Sequence, residues 1–256
     1  MGEKNTLRDA CEYALRGGGK RLRPTIVLMI AEALGFGADA MPAALSVEFF
    51  HTASLIADDL PCMDNDDVRR NRPSLHKVFG ESAAILASYA LIAEGYGGIY
   101  RNSGNNPKAA VICLEAATRC AGISGATGGQ FLDLYPPDFS FETVQKIIYQ
   151  KTVTLFEISF IFGWVFGGGD LTQLDAVKRC AYHLGMAFQI ADDLLDGLQD
   201  ARINMASAVG REKAESLFAD ELRAFVASLQ ELGLWTPDFQ ELVESLSRYR
   251  MCGAIC

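Results

Sequence analysis

Helical periodicity runs through almost all of this 256-residue chain, and it limits the possible folds more than any other feature. Apolar residues recur at spacings of three and four, as in "PTIVLMIAEALG", which begins at Pro24 and ends at Gly35. We find no convincing alternation of apolar and polar residues, which is the mark of a half-buried strand. The sequence therefore predicts an all-α protein.

Turn residues divide the periodic pattern into helices. Asp39 can cap a helix that has Pro42 in its first turn, and Ser140 can cap a later one. The main predicted segments are 24–35, 39–59, 108 to 130 or beyond, 140 onwards and 171–198. Some segments, such as "FEISFIFGWVFGG", lack a polar face and belong in the middle of a bundle or at a subunit interface. Because no linker or repeat divides the chain, we expect a single domain over residues 1–256.

Composition excludes several classes of function. The formal net charge is −9 and no long basic run exists, so nucleic-acid binding is not expected. The seven cysteines form no C-x-x-C pair, which is typical of free thiols in a reducing compartment. The N-terminal residues lack a signal-peptide core, and the longest apolar stretch, "ISFIFGWVFGGG", is too short to span a bilayer. These features predict a soluble intracellular protein.

Two patches of acidic residues each follow a strongly apolar helix. In the second patch, "DDLLD", Asp192 and Asp196 are four residues apart and share a helix face with Gly185 and Gln189. Like charges at this spacing destabilise a helix, and a divalent cation reverses that effect. Carboxylate oxygens, retained waters and substrate phosphates are the usual ligands of Mg²⁺.

The first patch, "DDLPCMD", has a different spacing. Asp58 and Asp64 would not share a face of an unbroken helix, because six residues turn by about 600°. Pro61 indicates that the helix does not continue unbroken. A bulge or tight turn at residues 60–63 would bring Asp64 back beside Asp58. Either acidic patch alone is also typical of a solvated helix end.

Basic groups complement these acids. They are Lys20, Arg21 and Arg23 in "GGGKRLRP", Arg69 and Arg70 after the first patch, and Lys151 beside Thr152. Flexible backbone beside basic side chains suits an anion, although an exposed basic turn or a surface lysine has the same appearance. Carboxylates that bind Mg²⁺ and arginines that bind phosphate oxygens together indicate a polyphosphate site. Two acidic patches and two basic groups suggest two phosphate-bearing substrates.

The combination of motifs resembles the trans-isoprenyl diphosphate synthases, the polyprenyl synthetase family. The matching motifs, in order, are "GGKRLRP", "HTASLIADDLPCMDNDDVRRNRPSLHKVFGE", "GGQFLDL", "KT" and "GMAFQIADDLLD". The resemblance implies an isoprenoid synthase fold of roughly ten or more helices around a central cavity, usually as a homodimer. It also implies a Mg²⁺-dependent condensation of isopentenyl diphosphate with dimethylallyl, geranyl or farnesyl diphosphate.

The resemblance also implies roles for single residues. The expected metal ligands are Asp58, Asp59, Asp64, Asp192, Asp193 and Asp196. The expected partners of the allylic diphosphate are Arg69, Lys151, Thr152 and Gln189. The expected catalytic residues are Asp58, Asp59, Asp64, Lys151, Asp192 and Asp193. The expected isopentenyl diphosphate site is Lys20, Arg23, His51 and Arg70. Gln130 and Asp133 are expected to serve helix packing, and His76 a structural purpose.

Product length should depend on residues one and two turns before Asp58. Ala53 and Ser54 are small, so a growing chain can pass to Phe49 and Phe50, which predicts geranylgeranyl diphosphate. Farnesyl diphosphate is the alternative product. The chain departs from the family pattern at Ser88 and Tyr89, where glycine and aspartate are common, and no lysine-containing loop follows the second patch.

Two other classes share some of these features. A terpene cyclase would not need "GGKRLRP" or a second acidic patch, because it binds a single diphosphate. A non-catalytic regulatory subunit of a prenyltransferase heteromer would be free to lose its acidic motifs, and this chain keeps both. The sequence therefore favours an active enzyme, expected in the cytoplasm, or in a plastid if the source is a plant.

Overall fold

The computed structural model describes residues 6–36, 38–104, 106–196 and 203–249, with the side chains of Asp196 and Tyr249 outside the description. Within these residues the chain forms thirteen α-helices, so the all-α prediction is confirmed. The helices are α1 Thr6–Leu15, α2 Leu22–Ala33, α3 Met41–Asp58, α4 Leu75–Phe79, α5 Glu81–Ser103, α6 Pro107–Ala121, α7 Ala126–Leu134, α8 Phe141–Ile148, α9 Thr154–Phe166, α10 Leu174–Asp196, α11 Met205–Val209, α12 Arg211–Glu231 and α13 Pro237–Tyr249.

Helix α9 lies at the centre of the bundle. Every residue from Thr154 to Phe166 is buried, and α2, α3, α6 and α10 pack around it. This confirms that a helix without a polar face is placed in the middle of the bundle. Its one charged residue, Glu157, pairs with Arg119 of α6, whose Nη2 donates to Oε1 at 2.6 Å. The pairing offsets the cost of burying a carboxylate.

Helices α3 and α5 approach closely because small residues line their contact. A Cβ added at Gly98 would lie 2.0 Å from Ser46 Oγ and 2.7 Å from the Pro42 carbonyl oxygen. A Cβ at Gly95 would lie 2.7 Å from the Phe50 ring. Only glycine at these positions lets the two helices meet without a shift of one backbone. The α3–α5 pair forms one wall of the cavity described below.

The sequence predicted one helix from 108 to 130 or beyond, but the structure has two helices there, α6 and α7. The prediction of an unbroken helix was wrong. The break falls at Gly122–Gly125, where a Cβ on Gly125 would lie 1.9 Å from the Cys120 carbonyl oxygen. Glycine permits this close turn, and periodicity alone does not reveal it. The break re-aims α7 toward the functional site.

A short hairpin that the sequence did not predict follows the first acidic patch. Val68–Arg69 (β1) pairs antiparallel with Arg72–Pro73 (β2). Its two turn residues, Arg70 and Asn71, have φ of 53° and 60°, which is the arrangement of a type I′ hairpin turn. Two residues per strand are too few to show alternation, which explains why the hairpin was missed.

By length and composition, one stretch in the described residues, Pro107–Leu134, is apolar enough to cross a membrane, a test that core helices of soluble proteins also pass. The break between α6 and α7 interrupts this stretch, and Arg119 within it pairs with Glu157. The cysteines described by the structure, Cys11, Cys62, Cys113, Cys120 and Cys180, are all free thiols.

Gly97 and Gly98 give a matched test of the α3–α5 contact. Gly98→Ala is expected to lower the free energy of unfolding by about 1–3 kcal/mol, because the added methyl meets α3. Gly97→Ala should be neutral or stabilising by up to about 1 kcal/mol, because it meets only the mobile end of Arg101. Urea denaturation measures both values. Equal stabilities of the two variants would contradict the packing described here.

Candidate active site

A cavity of about 490 Å³ opens between α3, α5, α6 and α7. Asp58 and Lys151 line it together with a wall of mainly apolar side chains that includes Phe50, Ala53 and Leu155. Phe50 and Asp58 lie eight residues apart on α3, which is about 12 Å along the helix axis. The cavity therefore joins a charged end to an apolar end, and its size suits a small-molecule ligand.

The first acidic patch folds back on itself, as the spacing argument required. Helix α3 ends at Asp58, and the Asp64 N–H donates to the Asp58 carbonyl oxygen at 2.9 Å. Burial raises the pKa of Asp58 to about 7; the positive charge of Lys151 opposes this shift, and the negative charge of Asp64 adds to it. A second cation near Asp58 would stabilise its ionised form.

Asp59 faces away from this pair toward the hairpin. Its side chain is buried, and its Oδ1 accepts a hydrogen bond from Arg69 Nε at 2.8 Å and another from Arg69 Nη2. Arg69 Nη2 also donates to Asp66 Oδ2 at 3.0 Å. Burial raises the pKa of Asp59, and Arg69 acts in the opposite direction. Asp59 thus fixes Arg69 at the end of the acidic patch.

The glycine-rich loop before α2 holds the guanidinium of Arg70. Gly18 and Gly19 have positive φ, and the Gly18 carbonyl oxygen accepts from Arg70 Nη1 at 2.8 Å. A Cβ on Gly19 would lie 2.6 Å from Arg70 Cζ. Buried Glu48 of α3 pairs with Arg21 and lies 4.0 Å from Arg70 Nη1. The loop, α3 and the hairpin are therefore joined through one cluster of charges.

Arg23 and His51 stand beside this cluster. Arg23 Nη1 lies 3.3 Å from His51 Nε2, and the guanidinium stacks over the Phe156 ring at 4.4 Å. Burial lowers the pKa of Arg23 to about 10, while the negative charges of Glu48 and Asp192 raise it. Burial and the nearby arginines hold the pKa of His51 well below its usual value. The positive charge of this region therefore comes from the arginines, and neutral His51 adds none.

Lys151 and Thr152 lie on a π-helical turn, Tyr149–Val153, between α8 and α9. Such turns occur often at functional sites, because the wider turn re-aims its side chains. Lys151 Nζ pairs with Asp133 Oδ2 of α7, and a Cβ on Gly129 would lie 2.3 Å from the Lys151 backbone nitrogen. Helix α7 therefore packs directly against the π-helical turn. On this turn Lys151 lines the same cavity as Asp58.

The second acidic patch faces the same turn from α10. Thr152 Oγ1 donates to Gln189 Oε1 at 2.8 Å, and Gln189 Nε2 donates to Asp193 Oδ1 at 2.9 Å. Asp193 Oδ2 accepts from the Met205 N–H at 2.7 Å. Asp192 is half-buried and acts electrostatically on Arg23. The side chain of Asp196, predicted from the sequence to be a metal ligand, lies outside the description.

The structure brings together most of the residues that the sequence singled out. Arg23, His51 and Arg70 form one positive group, with exposed Lys20 on the same loop. Phe50, Ala53 and Ser54 line the cavity, and the Phe50 ring meets Tyr96 at 5.2 Å between centroids. Phe49, in contrast, packs in a core cluster with α1 and α5 and does not line the cavity.

Three side chains of the site were missed or given another purpose by sequence reasoning. Glu48 binds the arginines, and Asp133 binds Lys151. Gln130 lines the cavity, and both of its amide atoms are buried without a hydrogen-bond partner. Glu48 carried a usable signal, since it is the only carboxylate in α3 before Asp58. Ser88 also lines the cavity, where its Oγ donates to the Ala53 carbonyl oxygen at 3.0 Å.

The carboxylates suit a divalent cation whose coordination is completed by oxygens of a bound ligand. No group of three His, Cys, Asp or Glu side chains in the described part of the chain is arranged to hold a metal alone. Mg²⁺ is usually bound by one or two carboxylates with substrate phosphates and waters. Half-buried Asp58 with Asp64 beside it gives such a pair, and a nearby positive charge would lower the raised pKa of Asp58.

The fold and the site together define a helical protein of the isoprenoid synthase fold whose acidic and basic side chains lie around a cavity. The chain belongs to the polyprenyl synthetase family, whose family model matches residues 4–208. In the solved structures, a geranyltransferase from Legionella pneumophila superposes with a TM-score of 0.89 at 29% identity, covering 98% of this chain and 90% of that chain. An FPP/GFPP synthase from Zymomonas mobilis gives a TM-score of 0.87 at 33% identity, covering 94% and 88%.

Curated relatives are also similar to this chain. Geranylgeranyl pyrophosphate synthase 7, chloroplastic, from Arabidopsis thaliana is 36% identical over 222 residues, which is 84% of this chain and 62% of the relative. The heterodimeric geranylgeranyl pyrophosphate synthase large subunit 1 of the same plant is 35% identical over 225 residues, or 84% and 59%. The chain thus spans about three-fifths of the length of these relatives.

The contact between Gly19 and Arg70 can be tested with a matched pair. Gly18→Ala and Gly19→Ala place the same strain on the backbone, but only the second methyl displaces the Arg70 guanidinium. We expect Gly19→Ala to weaken binding of inorganic diphosphate, titrated without Mg²⁺, by about tenfold more than Gly18→Ala, because a charge-assisted hydrogen bond from Arg70 is lost. Isothermal titration calorimetry measures both. Equal affinities would show that Arg70 does not contribute to the anion site.

Proposed function

We propose that the protein is a Mg²⁺-dependent trans-prenyltransferase that condenses isopentenyl diphosphate with an allylic diphosphate. The observation that carries this proposal is a cavity lined by Asp58 and Lys151 and by apolar side chains, among them the contacting rings of Phe50 and Tyr96. A molecule with a charged head and a hydrocarbon tail fits such a cavity. The enzyme relatives from Arabidopsis, Legionella and Zymomonas support the same activity.

Two positive groups support two diphosphate substrates. Arg69 and Lys151 lie near the first acidic patch, where the allylic diphosphate would bind, and Thr152 beside Lys151 bonds Gln189. Lys20, Arg23, His51 and Arg70 form the second group, where isopentenyl diphosphate would bind. The positive region beside neutral His51 attracts a diphosphate without a metal.

We expect Asp58, Asp64 and Asp192 to hold Mg²⁺ together with the allylic diphosphate. Asp59 is engaged by Arg69, so its assignment as a ligand has less support than that of Asp58. Asp196 stays a prediction from the family pattern. The bound cation supplies Lewis-acid stabilisation of the departing diphosphate.

The chain's own residues account for the remaining steps. Lys151 and Arg69 bind the leaving diphosphate oxygens while the allylic carbon–oxygen bond breaks, which stabilises the charge that develops there. The apolar walls exclude water from the allylic cation, so the double bond of isopentenyl diphosphate attacks it instead. A carbon–carbon bond then forms, and loss of a proton gives a prenyl diphosphate that is one isoprene unit longer.

Geranylgeranyl diphosphate is the product that the channel favours. Small Ala53 and Ser54 leave the first turn before Asp58 open, and the Phe50–Tyr96 pair closes the channel at the next. Farnesyl diphosphate is the runner-up, and solved relatives of that specificity are among the similar structures. The names of the curated relatives support the longer product.

We also infer that the chain acts as a homodimer. Large apolar side chains are exposed on α5, α6, the turn after α6 and α7, namely Leu86, Tyr89, Val111, Leu114, Ile123 and Phe131. Such a patch on a soluble protein marks an interaction surface. A monomer mass in light scattering at micromolar concentration would overturn this inference.

The proposed location is the cytoplasm, or a plastid, as the names of the plant relatives allow.

A product assay tests the activity. Purified protein, Mg²⁺ and labelled isopentenyl diphosphate are offered with dimethylallyl, geranyl or farnesyl diphosphate, and products are sized by chromatography. We expect Asp58→Asn to lower the rate by about 100-fold or more, because leaving-group stabilisation is lost. Asp9→Asn, a change at an exposed acid of α1, should leave the rate unchanged. No product from folded wild-type protein with any primer would favour a regulatory subunit instead.

Phe49 and Phe50 allow a matched test of channel depth. Both rings are buried on α3, at 8% and 3% exposure, but only Phe50 lines the cavity. Phe50→Ala should lengthen the product by at least one isoprene unit, because the floor of the channel is removed. Phe49→Ala should keep the wild-type length despite a similar loss of stability, about 3–5 kcal/mol. An unchanged product length in Phe50→Ala would contradict the assigned floor.

A further inference from the structure

Asp193 differs from Asp192 in how the protein uses its carboxylate. Its side chain is buried, at 4% exposure, and each oxygen already accepts a hydrogen bond within the chain. Gln189 Nε2 donates to Oδ1 at 2.9 Å, and the Met205 N–H donates to Oδ2 at 2.7 Å. Turning this carboxylate toward a metal would break both bonds and leave a buried N–H without a partner.

The backbone of Asp193 holds the same segment. Asn204 Nδ2 donates to the Asp193 carbonyl oxygen at 2.9 Å, and Asn204 Oδ1 accepts from the Ser207 N–H at 3.1 Å, which caps α11. Met205 is fully buried in a cluster with Leu194 of α10 and side chains of α12. The start of α11 is therefore fastened to α10 through Asp193 by both polar and apolar contacts.

The other oxygen of Asp193 continues a hydrogen-bonded chain into the active site. Gln189 has one amide oxygen and one NH₂ group, and it uses the first to accept from Thr152 Oγ1 at 2.8 Å. Its NH₂ group then points to Asp193. The carboxylate accepts bonds only, so it fixes which way the Gln189 amide is turned and where the Thr152 hydroxyl proton points. Thr152 adjoins Lys151, which lines the cavity.

Asp192 lies one position earlier and has different surroundings. Its side chain is half-buried, and its negative charge raises the pKa of Arg23 in the positive group. Asp192 thus lies close enough to Arg23 to act on it electrostatically, and Asp193 is hydrogen-bonded to its own helix and to α11. The two neighbours offer the control that the inference needs.

We propose that Asp193 is a positioning residue and not a metal ligand: it orients Gln189 and Thr152 and anchors α11 to the helix that bears the second acidic patch. The proposal rests on the proposed prenyltransferase function for its kinetic consequences. Its structural consequences are independent of that function.

The test compares Asp192→Asn with Asp193→Asn. Asparagine has one oxygen and one NH₂ group, so it cannot accept from both Gln189 Nε2 and the Met205 N–H, and it carries no charge. Because a hydrogen bond to a charged group is lost, we expect hydrogen exchange in residues 203–210 to accelerate by about tenfold. Asp192→Asn should leave that exchange unchanged. Mass spectrometry of peptic peptides reads both, and it requires no activity.

Kinetics supply the second readout. We expect Asp192→Asn to raise the half-saturating Mg²⁺ concentration by about tenfold or more, and Asp193→Asn to leave it within about twofold while kcat falls. Asn204→Ala loosens α11 without changing an acid, so it should reproduce the faster exchange and keep the Mg²⁺ dependence even if Asp193→Asn folds poorly.

Two results would overturn the proposal. One is a loss of Mg²⁺ affinity in Asp193→Asn equal to that in Asp192→Asn. The other is unchanged exchange of residues 203–210 in folded Asp193→Asn. If wild-type protein made no product with any primer, the proposed function would fail, and the exchange experiment would still decide whether Asp193 anchors α11.

Discussion

The complete burial of α9 is the constraint on which the rest of the structure depends. A helix that is apolar on every side must be covered on every side, and α2, α3, α6 and α10 provide that cover. Glycines permit the closest approaches: a Cβ on Gly163 of α9 would lie 2.8 Å from the Val27 carbonyl oxygen of α2. The helices that bear the acids, α3 and α10, therefore both pack against one central element.

This arrangement places charged groups in partly buried positions, where the loss of hydration destabilises a charge. Most of these groups are paired with a residue of opposite charge. Asp59 has Arg69, Glu48 has Arg21, and Lys151 has Asp133. Asp58 is the exception, because burial outweighs Lys151 and raises its pKa to about 7. A cation bound near Asp58 would stabilise its ionised form.

The parts of the site that could be predicted from the sequence are those with a local signature. Helical periodicity gave the all-α class, and Pro61 with the spacing of Asp58 and Asp64 gave the turn that brings the latter back. The break between α6 and α7 could not be read, because Gly125 acts through a contact with the Cys120 carbonyl oxygen that no periodicity encodes. Long-range pairs such as Glu48 with Arg21 were missed for a related reason: their residues are 27 positions apart.

The sequence by itself determined which helices form, where the two acidic patches and the basic groups lie along the chain, and which family these motifs resemble. Only the tertiary structure decided how each acid is used. Asp58 and Asp59 are neighbours in sequence, and so are Asp192 and Asp193, yet one of each pair faces the cavity or its positive group and the other is engaged by the protein. Adjacent residues on a helix point about 100° apart, so the packing of the surrounding helices chooses between them.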